Sequence, residues 1–173
     1  MKPALDREWQ KLQSQSKYYW HLLSSVPAAK LKQQPAPDQW SLLQVMEHMA
    51  GVEAVSLKYL LKKNYTPLTS RSYLPQSIRA LLLNLALRSP LKFKAPPLEE
   101  LKTTNNTTPE ALLQQWHDVR SRLHAYLEEA PAAVLEKPMF RHPVAGTLTL
   151  QQMLAFLTNH MDHHHKQVKR LLQ

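Results

Sequence analysis

The sequence predicts an all-α fold, a bundle of four long helices with one shorter helix between the second and the third. Four segments repeat apolar residues at the spacing of an amphipathic helix. The chain contains only 2 glycines, which argues against hairpin turns that need a positive φ. Most of its 13 prolines fall between the apolar segments, where they interrupt helices. A chain of 173 residues has the size of one domain, and we expect a single domain over 1–173.

The first two long helices have sequence signals at their ends. The first is expected over about 4–25, and Pro27 ends it ahead of a proline-rich linker. The second is expected over about 41–63. Ser41 and Gln44 have the spacing of a capping box, in which each side chain bonds the backbone N–H of the other residue.

The middle of the chain holds the shorter helix. Residues 64–75 read as a loop, and the apolar segment that follows predicts a helix over about 76–88. Prolines then favour an extended stretch over 89–98.

The last two long helices also begin at capping residues. Thr108 is a suitable N-cap with Pro109 at the first helical position, and this helix ends before Pro131. Residues 137–146 read as a loop. Thr149 and Gln152 form a second capping box at the start of a helix that continues to the end of the chain.

Composition excludes several classes of protein. The formal net charge of +9 could attract nucleic acid, but no zinc-finger, helix-turn-helix or RNA-binding signature accompanies it, so we expect no specific nucleic-acid partner. The absence of cysteine removes disulfides, cysteine-ligated zinc and thiol nucleophiles. No apolar run reaches the ~18 residues of a membrane span, and the N-terminus lacks a signal-peptide pattern. We therefore expect a cytoplasmic protein without membrane insertion, and the sequence leaves a homodimer open.

Three of the 9 histidines occupy apolar helix faces. His160 and His164 lie one turn above each other in the last predicted helix, ~6 Å apart along its axis. His48 shares a face of the second long helix with Val45 and Val52. Two helices of a bundle can thus bring three imidazoles to one point, and three such ligands leave a fourth position open, as in catalytic zinc sites. Imidazoles suit zinc, nickel, copper or iron.

A plainer interpretation accounts for the same spacing. A histidine on an apolar face is commonly a core residue, and two histidines four apart arise by chance. The spacing alone leaves both interpretations open. His163 and His165 point about 100° to either side of His164, so we expect them to support the site or to face solvent. The remaining four histidines are assigned to the surface or to capping: His21, His117, His124 and His142.

Several motifs together carry a family resemblance. The pattern W-S-x(6)-H begins at Trp40 and ends at His48, and H-x-x-H-H-x-x-Q runs from His160 to Gln167. The segments SPLKFKAPP at 89–97 and HPVAGTLTLQQML at 142–154 add to these motifs. In this order they resemble the DinB/YfiT-like superfamily over nearly the whole chain.

The resemblance implies a four-helix bundle and one divalent metal ion bound by His48, His160 and His164, with zinc or nickel expected. Members of the superfamily include transferases and isomerases that use low-molecular-weight thiols, proteins described as metal-dependent hydrolases, and proteins without known activity. The resemblance therefore implies a small-molecule substrate, with a low-molecular-weight thiol as a second cofactor.

The carboxylates near these histidines point elsewhere. Zinc helices of the H-E-x-x-H type carry a glutamate as general base, whereas here Glu47 and Glu53 turn about 100° and 140° from His48. Asp162 likewise leaves the face of the two C-terminal histidines. No general base can be assigned, but a bound cation can itself lower the pKa of water or a thiol.

Three functions follow as hypotheses: thiol transfer first, then metal-dependent hydrolysis, then a non-catalytic metal- or ligand-binding stress protein. Whether the chain is an enzyme stays open among them. A thiol transferase needs a basic groove for an acidic thiol, and Lys92, Lys94 or Arg141 could supply it. Ordinary surface charge accounts for these three residues as well.

Overall fold

Five helices and one short hairpin make up the part of the chain that the computed structural model describes, which is residues 2–69, 99–143 and 145–173. This architecture confirms the all-α fold. The helices are α1 (Pro3–Ser25), α2 (Ala28–Lys32), α3 (Leu42–Lys63), α4 (Pro109–Glu128) and α5 (Leu150–Leu172). A single turn of 3-10 helix precedes α4 at Glu99–Leu101, and another follows it at Ala132–Val134. The expected helix over 76–88 and the expected extended stretch over 89–98 lie outside the described residues.

The four long helices pack as a bundle around one apolar core. Helix α1 contacts α4 and α5, and α3 contacts the same two helices from the other side. Burial of the apolar side chains between these helices makes the largest favourable contribution to the free energy of folding. The largest fully buried side chains are Trp116, Leu12, Leu31, Leu42, Leu43, Met46, Met49, Leu60, Leu123, Leu127, Met139 and Leu148.

The long helices α3 and α5 begin at the predicted caps. The Ser41 hydroxyl accepts the N–H of Gln44, whose side-chain oxygen accepts the N–H of Ser41. Thr149 and Gln152 make the same pair of bonds at the start of α5. Because each cap fixes where its helix begins, it also fixes which residues of α3 and α5 face each other.

Two segments differ from the prediction. The linker after Pro27 contains the short helix α2, because Leu31 is fully buried in the core and Pro27 is compatible with a helix N-cap. Residues 137–146 were expected to form a loop but contribute to an antiparallel hairpin of β1 (Phe140–His142) and β2 (Gly146–Leu148). One glycine is enough for this turn, since Gly146 adopts a φ of 74°.

A buried ion pair crosses the bundle between α3 and α4. Glu53 and Arg120 are only 1% and 2% exposed, and both carboxylate oxygens of Glu53 accept N–H groups of the guanidinium. Arg120 also donates to Gln13 and to Ser16 of α1. Such a pair is tolerated in a core only when its remaining hydrogen-bonding groups are satisfied, as they are here.

Among the residues that the structure describes, no helix has both the length and the apolar character needed to cross a membrane.

Candidate metal centre

Helix α3 contributes one imidazole to the candidate site. His48 lies two turns after the Ser41 cap and is half-buried. The Trp40 ring packs against it with 5.1 Å between the ring centroids. The cap and this aromatic contact together hold the imidazole near the N-terminal end of α3.

Helix α5 contributes two more imidazoles from successive turns. His160 is half-buried and His164 is buried at 9% exposure. Their ring centroids are 4.7 Å apart and the rings are nearly perpendicular. Phe156, one turn before His160, packs against the His160 ring at 5.8 Å. The i, i+4 spacing predicted from the sequence thus places both rings on the face of α5 that meets α3.

The three imidazoles converge across the two helices. The Nε2 atoms of His48 and His160 are 3.2 Å apart. The His48 ring centroid lies 5.1 Å from that of His164. One ring nitrogen from each of the three residues falls within 4.8 Å of the others. The structure therefore brings together the three histidines that the sequence selected.

This arrangement fits a divalent metal ion. Two nitrogens bound ~2.0–2.1 Å from a tetrahedral ion are ~3.3–3.4 Å apart, close to the 3.2 Å between the Nε2 atoms of His48 and His160. The donors are all imidazole nitrogens, which suit zinc, nickel, copper and iron.

Burial keeps the three imidazoles neutral, which is the form that binds metal. Burial, together with the neighbouring His164 and His163, lowers the pKa of His48 to about 4. The pKa of His164 also falls to about 4 through burial, although a hydrogen bond to Gln167 acts in the opposite direction. Burial lowers the pKa of His160 well below its usual value. Packing three such groups together weakens the fold at low pH, and perturbed titratable groups of this kind are typical of functional sites.

A hydrogen bond to the second ring nitrogen orients one of the imidazoles. His164 Nδ1 lies 3.0 Å from the side-chain oxygen of Gln167, so in the neutral ring Nδ1 carries the proton and Nε2 is left as an acceptor. Metal-binding histidines usually have such a partner for the nitrogen that does not bind metal. His48 Nδ1 is buried and has no hydrogen-bond partner among the described residues.

No carboxylate joins the three histidines within the described ranges. Glu47 accepts the backbone N–H of Asn105, and Glu53 is paired with Arg120. Asp162 accepts a hydrogen bond of 2.6 Å from Gln15 of α1. All three carboxylates point away from the cluster, as the helical geometry predicted.

His163 and His165 lie beside the cluster and outside it. The half-buried His163 ring packs against His164 at 5.2 Å, and His165 faces α1, where its Nδ1 is 3.4 Å from the hydroxyl of Tyr19. The expected surface positions of His21 and His117 agree with their exposure.

His142 was assigned to the surface or to capping. It is half-buried on β1, and its ring packs edge-on against Phe156 at 4.6 Å, so it is not a surface residue. Its Nδ1 accepts the backbone N–H of Ala145, which agrees with the capping alternative. No local pattern in the sequence reveals this position, because it depends on packing of the hairpin against Phe156 of α5.

Of the three basic residues considered for a thiol groove, Arg141 lies among the described residues. Lys92 and Lys94 lie outside those residues. Arg141 is exposed on β1, and neighbouring strand residues such as His142 point to the opposite face.

Comparison with known proteins gives a family and one relative. The family model described as the DinB superfamily matches residues 11–168. The chain is 21% identical over 158 residues to the uncharacterized protein YuaE of Bacillus subtilis (strain 168), covering 88% of this chain and 89% of that protein. No solved structure matches the chain with significance.

Proposed function

The chain belongs to the DinB superfamily, and we propose that it is a metal-dependent transferase that joins a low-molecular-weight thiol to a small electrophilic molecule. His48, His160 and His164 are the proposed ligands of one divalent metal ion, with zinc or nickel preferred. The remaining coordination position is where the thiol would be activated.

The observation that supports this proposal is that the candidate metal ligands are all neutral. Three imidazoles converge, and no carboxylate accompanies them in the described part of the chain. Neutral ligands leave a divalent ion its full charge, and such an ion, when bound, lowers the pKa of a thiol or water at its open position.

The surrounding carboxylates favour a thiol over water as the nucleophile. Hydrolysis at helical zinc sites commonly uses a glutamate as general base. Here Glu47 and Glu53 are engaged by Asn105 and Arg120 instead. A thiol ionises much more readily than water, so it depends less on such a base. The family resemblance in the sequence points to the same choice.

Aromatic rings border the cluster on two sides and suit an electrophile with an apolar body. Trp40 packs against His48 at 5.1 Å, and Phe156 packs against His160 at 5.8 Å. Aromatic and apolar walls with a few polar groups are typical of sites that bind small molecules.

The test uses the full-length chain loaded with zinc or nickel and a chloroaromatic electrophile. Glutathione, bacillithiol and mycothiol are added in turn. In the expected reaction a sulfur–carbon bond forms, the carbon–chlorine bond breaks, chloride leaves and the thiol proton passes to water. We expect conjugation above background with at least one thiol. It should disappear in His164→Ala and persist in His165→Ala, which removes a neighbouring histidine outside the cluster.

Two other outcomes would indicate a different function. Turnover of an ester or amide without thiol, lost in His164→Ala, would indicate a hydrolase. A protein that binds the metal but supports neither reaction would be a non-catalytic metal- or ligand-binding protein.

A further inference from the structure

The segment between the first 3-10 turn and α4 lies along α3, the helix that carries His48. In the C-terminal half of α3, Lys58 pairs with Glu100 of this segment. At the N-terminal cap of α3, the hydroxyl of Ser41 donates to Oδ1 of Asn105 at 2.7 Å. The segment therefore spans the part of α3 that includes His48.

Asn105 fastens this segment to the beginning of α3. Besides accepting the Ser41 hydroxyl, its side chain donates from Nδ2 to the carbonyl of Lys32 at 2.9 Å. Its backbone N–H donates to a carboxylate oxygen of Glu47 at 3.2 Å. The residue has a φ of 59°, a left-handed conformation that asparagine and glycine adopt more readily than other residues. Both ends of the amide are thus engaged, and Asn105 joins the linker before α3 to the cap of that helix.

Ser41 links Asn105 to the candidate metal centre. Its hydroxyl accepts the N–H of Gln44 as the helix cap and donates to Asn105 at the same time. The residue before it, Trp40, packs its ring against His48 with 5.1 Å between the centroids. Because Trp40 is bonded directly to Ser41, the place of the indole depends on how firmly the cap is held.

The His48 ring depends on packing for its orientation. His164 has a hydrogen-bond partner at Nδ1, the side chain of Gln167. Nδ1 of His48 is buried and has no such partner among the described residues. Metal-binding histidines usually need a neighbour that orients the ring. In the described part of the chain, Trp40 is the aromatic neighbour that contacts His48 from outside the cluster.

We propose that Asn105 is a positioning residue of the metal centre. By holding Ser41, it keeps Trp40 packed against His48. The His48 imidazole then stays directed towards the two histidines of α5. Asn105 acts through Trp40 and is not itself a ligand. This inference rests on the proposed function, because positioning affects metal binding only if the three histidines hold an ion.

Two substitutions isolate the role of the Asn105 side chain. Asn105→Gly removes the bonds to Ser41 and Lys32 without straining the backbone, since glycine adopts a positive φ freely. Asn105→Asp tolerates the same φ and keeps an oxygen that can accept the Ser41 hydroxyl. The same two substitutions at the exposed neighbour Asn106 are the matched controls, one for loop flexibility and one for added charge.

NMR spectroscopy of the metal-free, full-length protein measures the geometry. The unsubstituted protein should show nuclear Overhauser contacts between the rings of Trp40 and His48. We expect Asn105→Gly to lose these contacts. It should keep the contacts between the rings of His160 and His164, whose centroids are 4.7 Å apart. A loss confined to the first pair is the signature of positioning, since general unfolding would remove both pairs.

A competition titration with a chelator measures the consequence for zinc affinity in the same variants. We expect Asn105→Gly to bind zinc roughly tenfold more weakly, at the lower end of the effect of removing groups that orient a metal ligand. Asn105→Asp should retain more of the affinity than Asn105→Gly. Both Asn106 variants should match the unsubstituted protein.

Each contrary outcome overturns the inference in a distinct way. Ring contacts or zinc affinity that are unchanged in Asn105→Gly would show that Asn105 does not position His48. Loss of both pairs of ring contacts would assign Asn105 to the stability of the whole bundle. Equal loss of zinc affinity in Asn105→Gly and Asn106→Gly would assign the effect to loop flexibility.

Failure of the proposed function has a different signature. An unsubstituted protein that binds no zinc would refute the proposed function. The ring contacts of the metal-free variants would still decide whether Asn105 holds Trp40 against His48.

Discussion

The Nε2 atoms of His48 and His160 lie 3.2 Å apart, although 112 residues separate the two positions in the chain. Two capped helices produce this proximity, because the caps at Ser41 and Thr149 fix where α3 and α5 begin. Since burial lowers the pKa of both rings and keeps them neutral, their nitrogen lone pairs are available to a metal ion.

Gln167 is expected to strengthen metal binding through His164. Its side-chain oxygen lies 3.0 Å from His164 Nδ1, and removal of such an orienting partner typically weakens metal binding roughly 10–100-fold. Gln167→Ala should therefore lower the affinity for zinc in a competition titration with a chelator. The control is Lys166→Ala, which alters an exposed neighbour on the same helix. Equal affinities for the two variants would show that Gln167 has no such role.

Acid should destabilise the metal-free protein. The pKa values of His48, His142 and His164 are lowered from 6.5 to about 4 in the folded state. Between pH 6.5 and about pH 4 these histidines bind more protons in the unfolded chain than in the folded protein. The free energy of unfolding therefore falls as the pH falls through this range. At pH 5 each of these three histidines should lower the free energy of unfolding by at most about 2 kcal/mol.

Urea denaturation of chelator-treated protein at pH 7.5 and pH 5 measures this effect. His142→Asn should show a smaller loss between the two pH values, because one of the depressed groups is absent. A free energy of unfolding that is constant or higher at pH 5 would contradict the expected burial of these imidazoles.

The Glu53–Arg120 pair should be far more sensitive to substitution than an exposed pair. Glu53→Gln leaves the guanidinium of Arg120 without its counter-ion in the core, which should lower the free energy of unfolding by about 3–5 kcal/mol. Glu100→Gln is the matched control, because Glu100 pairs with Lys58 at the surface with half of its side chain exposed, and such pairs contribute only ~0–1 kcal/mol. Denaturation midpoints compare the two variants, and similar midpoints would refute the assignment.

The sequence predicted the long helices from local rules, and it predicted the histidine cluster from local rules together with the family resemblance. Apolar spacing and capping residues fix the helices, and the period of 3.6 residues places His160 and His164 on one face. His48 could be selected because its neighbours on α3 are apolar. Bringing His48 close to His160 and His164 required only that the apolar faces of α3 and α5 pack into the same core.

Features that depend on contacts between distant segments could not be predicted in the same way. The position of His142 is set by packing of the hairpin against Phe156, and no local pattern announces that contact. Glu53 was correctly turned away from His48, but its partner Arg120 lies on another helix and carries no signal in the sequence. Helix α2 was missed because prolines on either side of Leu31 favour a linker.

The central claim is that His48, His160 and His164 bind one divalent metal ion. It is tested most directly by elemental analysis of the full-length protein after incubation with zinc or nickel and removal of unbound metal. Five single variants are compared: His48→Ala, His160→Ala, His164→Ala, His163→Ala and His165→Ala.

We expect one ion per chain in the unsubstituted protein and in His163→Ala and His165→Ala. Each of the other three variants should lose a ligand and bind more than ~100-fold more weakly, beyond the loss expected for a merely supporting residue. An unsubstituted protein that retains no metal, or five variants with the same metal content, would contradict the claim.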